Sequence, residues 1–103
     1  MYRYQLRFEV GYGRARELLE ATGRIRAVAR DRGWHEPVLW NLAFGPWNAF
    51  VFSADYETLA EYEREIGAQT QDADWMGAMR DMREFIVQGS VRSEIMETIE
   101  TLA

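Results

Sequence analysis

The sequence predicts an α+β fold whose elements run strand, helix, strand, strand, helix, strand. Three observations predict it. Tyr2 to Val10 alternates apolar and polar residues, and Arg14 to Arg32 carries a helical period. In the last third, Asp72-Ala73-Asp74-Trp75 opens a Met-rich helical run that stops at Gln88-Gly89-Ser90 and gives way to a strand-like segment from Val91.

In the first strand Tyr2, Tyr4, Leu6, Phe8 and Val10 share one face, and Arg3, Gln5, Arg7 and Glu9 the other. Gly11-Tyr12-Gly13 ends it. In the first helix Ala15, Leu18, Leu19, Thr22, Ile25, Val28 and Ala29 follow helical spacing, and Gly33 suits the left-handed cap that closes it. After Trp34-His35-Glu36-Pro37, an apolar run from Val38 to Phe44 turns at Gly45-Pro46-Trp47-Asn48 and resumes from Ala49 to Ala54, a hairpin. So few polar residues imply strands covered on both faces, and helices on one side of a four-stranded sheet cover only one. A second copy of the sheet is the simplest cover, hence an expected homodimer.

Asp55 or Thr58 can cap the next helix, with Thr58 and Glu61 in capping-box spacing. Leu59, Tyr62, Glu63 and Ile66 trace it to Gly67, and after a break at Gln69 to Gln71 the chain restarts at Asp72. Trp75, Met76, Met79, Met82, Phe85 and Ile86 form the stripe of that second segment, and Val91 to Ile99 is the fourth strand. The order is that of the split βαβ, ferredoxin-like subunit, a four-stranded antiparallel sheet with helices on one face and the first strand between the third and fourth.

Composition bounds the function. The 103 residues suit a single domain, residues 1–103, with 48% hydrophobic and 14% aromatic residues and no cysteine. Disulfides, thiolate nucleophiles and cysteine-ligated metals are excluded. No basic-then-apolar leader precedes Tyr2 and no apolar run is long enough to span a membrane, so the expectation is a soluble, cytoplasmic protein without a membrane partner. All twelve basic residues are arginine. Residues 1–35 hold eight Arg against four acids, +4, and residues 36–103 hold four Arg against thirteen, −9. The split suggests attraction between early and late elements, and the net acidity argues against nucleic acid. Arg3 and Arg7 are expected opposite Glu94, Glu97 or Glu100 on the fourth strand. Alternatively, Arg7 is held ready for an anionic ligand.

No catalytic or metal-binding signature is present. His35, the only histidine, is either solvated or a proton carrier, since imidazole is the side chain that changes charge near neutrality. Without a second His or any Cys, no metal site is expected. Trp34, Trp40, Trp47 and Trp75 with Phe44, Phe50 and Phe52 read as packing or as a flat pocket whose ligand is oriented by Asn41, Arg7, Tyr62 and Ser53. Met76, Met79 and Met82 read as helix packing.

The strand Tyr2 to Val10, the helix opening Leu59-Ala60-Glu61-Tyr62, the Asp74-Trp75 start and the exit Gly89-Ser90-Val91-Arg92-Ser93-Glu94-Ile95 give the chain a resemblance, over essentially its whole length, to NIPSNAP-like proteins. These lie within the dimeric α/β-barrel superfamily, with antibiotic-biosynthesis monooxygenases and small polyketide cyclases. The resemblance implies sheets paired face to face into a barrel and a cavity between each sheet and its helices. It also implies a small apolar or aromatic ligand and, for an enzyme, cofactor-free oxygenation or cyclisation in secondary metabolism. Trp40, Asn41 and Tyr62 match the residue types that hold such ligands, Trp75 and Ser53 would add to the pocket, and His35 or Arg7 would move protons. Haem-degrading relatives carry Asn-Trp with a His four residues after the Trp; here Asp74-Trp75 is followed by Met79, and no cofactor is expected. The other reading is a non-catalytic binding or interaction protein.

Overall fold

A computed structural model describes residues 1–99. Strand β1 (Tyr2–Glu9) leads into helix α1 (Ala15–Arg32), strands β2 (Val38–Asn41) and β3 (Ala49–Tyr56), helices α2 (Leu59–Thr70) and α3 (Ala73–Arg83), and strand β4 (Arg92–Glu97). The sheet is antiparallel in the order β2-β3-β1-β4, which places the first strand between the third and fourth as predicted.

Register decides what each face presents. Opposite partners in an antiparallel pair share a face, so Tyr4, Leu6 and Phe8 lie with Ala54, Phe52 and Phe50 beneath the helices. Arg3, Gln5 and Arg7 lie with Asp55, Ser53 and Val51 on the other face, joined by Val38 and Trp40 of β2 and by Arg92, Glu94 and Met96 of β4. Phe8, Leu18, Ile25 and Met82 are fully buried between the sheet and α1 and α3. At about 25 cal/mol per Å2, complete burial of such side chains contributes about 1.5–3 kcal/mol each.

Local chemistry sets the helix ends. Gly33 closes α1 at φ 73°, where a side chain would be strained. Thr58 Oγ1 accepts from the Glu61 N–H at 3.2 Å, and Glu61 Oε2 reaches back to the Glu57 N–H at 3.0 Å. This is a capping box whose carboxylate grips one residue earlier than expected. Asp72 accepts from the Trp75 N–H at 2.9 Å and starts α3 as predicted.

Several boundaries differ. The buried stripe of α1 is Leu18, Ala21, Thr22, Ile25 and Ala29, whereas Leu19 lies one residue off it and is 60% exposed. Strand β2 stops at Asn41, because only Val38 to Asn41 find partners on β3, and Leu42 to Phe44 enter the turn. β3 runs on to Tyr56 and β4 is confined to Arg92–Glu97, the residues that face β1 and its entry. The expected pairing of Arg3 and Arg7 with β4 is corrected: Arg3 makes a two-pronged pair with Asp55 of β3 at 2.7 and 2.9 Å. Arg7 faces Arg92, and among the described residues it makes no ion pair; Glu100 lies outside them. β3 is the other neighbour of β1, and register sets Asp55 directly opposite Arg3.

Candidate functional site

A cavity of about 140 Å3 lies between the helix-facing side of the sheet and helices α2 and α3. Each element supplies residues in its own period. Tyr4 and Leu6 come from the inward face of β1, and Phe52 and Tyr56 from β3. Tyr62, Ile66 and Gln69 come from successive turns of α2, and Trp75 and Met79 from one face of α3. His35 and the buried Pro37 complete the wall from the connection that follows α1.

The aromatic groups are locked against one another. Tyr62 stacks on Tyr4 at 5.7 Å and meets Tyr56 edge-on at 5.4 Å, and His35 lies against Tyr56 at 4.5 Å. Trp34 packs edge-on to Trp75 at 5.6 Å. Such arrangements suit the ring quadrupoles. Burial pushes the Tyr4 and Tyr62 hydroxyls above their ordinary value, with the Tyr62 hydroxyl adding to the effect on Tyr4. Tyr56 is pushed up furthest, by burial first and then by the Glu65 carboxylate beside it. All three therefore stay neutral, as hydrogen-bonding phenols on an otherwise apolar wall.

His35 is not solvated at random. Glu65 Oε1 accepts the His35 backbone N–H at 2.9 Å and lies 2.6 Å from Nδ1. The Glu65 side chain is only 13% exposed, and its Oε2 is buried without a hydrogen-bond partner. Glu65 was not singled out from sequence, although it sits three residues after Tyr62 and four before Gln69, on the edge of the stripe that α2 turns inward.

The structure divides the expected site. His35, Tyr62 and Trp75 come together at the cavity. Trp40 and Arg7 stand on the opposite face of the sheet, Trp40 donating from Nε1 to Ser53 Oγ at 2.9 Å. Ser53 belongs to the cavity wall only as part of β3, since its hydroxyl is turned away to Trp40. Asn41 is exposed at the end of β2 and lines neither cavity nor groove. Arg7 lines a polar groove of about 570 Å3 on the open face with Gln5, Arg92 and Glu94. Period two explains the division, because adjacent strand residues point to opposite faces. Among the described residues no group of three or more His, Asp or Glu is placed to hold a metal.

A two-layer ferredoxin-like fold with an apolar, tyrosine-ringed cavity under α2 and α3 defines the structural class. Within that class the fold is similar to that of a NIPSNAP domain protein from Burkholderia xenovorans, with a TM-score of 0.78, 12% identity and coverage of 100% of this chain and 99% of that one. A NIPSNAP family protein from Agrobacterium tumefaciens superposes with a TM-score of 0.74 at 15% identity, over 96% of this chain and 93% of that one. A Bordetella bronchiseptica protein provisionally named an antibiotic biosynthesis monooxygenase does so with a TM-score of 0.72 at 17% identity, over 96% and 97%. At such identities the likeness is one of fold. No protein-family model matches the chain, and no curated protein matches it in sequence.

Proposed function

We propose that this chain binds a small apolar or aromatic molecule in the cavity between its sheet and helices α2 and α3, as a NIPSNAP-like protein that pairs its open sheet faces into a homodimer. The observation that carries the reading is the cavity itself, about 140 Å3 and walled by Tyr4, Phe52, Tyr62, Trp75 and Met79. An apolar cavity of ~150 Å3 is known to admit benzene, so the occupant is about one ring in size. Catalysis, as a cofactor-free monooxygenase or cyclase of secondary metabolism, is supported by the oriented His35–Glu65 pair at the wall and by the fold shared with the Bordetella protein. The reading as a non-catalytic interaction protein draws on the opposite face, where Trp40, Val38 and Met96 lie exposed.

The test is 19F NMR titration of the purified protein with fluorobenzene. Saturable binding is expected, and Ile66→Phe, which fills the cavity, should abolish it; absence of binding by the wild type would refute the reading. Light scattering of the same sample should give twice the chain mass, and a monomer at all concentrations would remove the homodimer from it.

A further inference from the structure

We infer that the cavity selects ligands that carry a hydroxyl or N–H donor on the ring, with His35 as the acceptor and Glu65 as the residue that positions it. The inference rests on the cavity being a binding site. Glu65 engages the same residue twice through one oxygen, at the backbone N–H and at Nδ1. A carboxylate oxygen accepts hydrogen bonds, so this contact favours the imidazole tautomer with its proton on Nδ1, and in that tautomer Nε2 carries the lone pair. His35 lines the cavity and Glu65 does not, so the carboxylate lies behind the residue that meets the ligand.

Two further features hold the imidazole in place. Tyr56 packs against it at 4.5 Å and is itself braced by Tyr62, and the His35 main chain is tied to Glu65, so neither rotation nor withdrawal is free. Elsewhere the wall is mostly Leu6, Phe52, Ile66, Trp75 and Met79, which offer shape without direction, and its other polar groups are the hydroxyls of Tyr4, Tyr56, Tyr62 and Thr70 and the Gln69 amide. A ligand with a donor at one end of a single ring satisfies both parts of this surface. An unsubstituted ring fills the apolar part and leaves Nε2 to water, and the difference is one net hydrogen bond, about three- to tenfold in affinity.

The experiment compares 4-fluorophenol with fluorobenzene by 19F NMR, together with 15N NMR of the imidazole, which is unambiguous because the chain has one histidine. The wild type should prefer 4-fluorophenol about three- to tenfold and show the proton on Nδ1. His35→Phe should keep fluorobenzene binding and lose the preference, and Glu65→Met should keep fluorobenzene binding while the imidazole shifts to mixed tautomers. Equal affinity for the two probes in the wild type, or an Nε2-protonated ring, overturns the inference and leaves the cavity reading standing. Failure of both probes to bind overturns both. Should His35→Phe not fold, the wild-type preference and the 15N shifts decide alone.

Discussion

At the scale of single residues, burial and partner decide what each side chain is worth. Phe8 is fully buried, so Phe8→Ala should cost about 3–5 kcal/mol in urea unfolding. Trp40, half exposed on the open face, should cost less than ~3 kcal/mol as Trp40→Ala in the monomer. A larger loss there would show that its face is covered in solution. The tyrosines offer a second measurement. Tyr4, Tyr56 and Tyr62 have hydroxyls raised above their ordinary value of 10.0, so their contribution to stability is complete below pH 10 and is lost as pH rises through the folded values. Tyrosinate absorbance should therefore report part of the ring population resisting ionisation until the fold opens, and ionisation of every tyrosine at 10.0 would contradict the packed cluster. His35 was visible in the sequence as the lone imidazole, but its partner was not. Glu65 lies thirty residues away and reads on its own as one more solvated acid of an acidic helix.

At the scale of elements, the caps and periods written in the sequence produced the structure directly. Thr58 and Asp72 start α2 and α3, and Gly33 ends α1, because each answers a need of the backbone that no distant contact alters. Thr58→Ala should cost about 1 kcal/mol of stability, and Thr58→Ser, which keeps the hydroxyl, much less. Equal losses from the two would show that the hydroxyl is not the cap. Strand ends were less legible for a physical reason. Leu42, Ala43 and Phe44 prolong the apolar pattern of β2, but a strand lasts only as long as it has a neighbour, and β3 supplies four partners. The same dependence separates Trp40 from Tyr62. Residue type made both plausible pocket members, and only register and pleat decided that they lie on opposite faces.

At the scale of the whole molecule, the opposite charges of the early and late chain meet as ion pairs. Arg3–Asp55 and Arg32 with Asp72 and Asp74 tie the first third of the sequence to later segments, and Arg30–Glu36 ties the end of α1 to the connection that follows it. Hydrogen bonds from these arginines hold the Asp55 and Glu36 carboxyls below their ordinary 3.8 and 4.5. Asp72 is held below 3.8 by the Trp75 N–H first and Arg32 second. Their contribution is thus complete above those values and is withdrawn as pH falls through the lower folded values. The thermal midpoint should stay level from neutrality to about pH 5 and fall below pH 4, and a midpoint unchanged at pH 2.5 would show that these pairs contribute nothing. The position of β1 has a consequence for synthesis. It precedes the other three strands of the sheet in the chain, yet it lies between two of them, with Leu6 set against Phe52 on one side and Ser93 on the other. During synthesis one edge of this aromatic-rich strand stays open until β3 has been made and the other until β4 has been made, with α2 and α3 lying between those two partners in the sequence. A pause before β3 is complete would prolong that exposure and favour aggregation, whereas a pause soon after β3 would let the central pair form first.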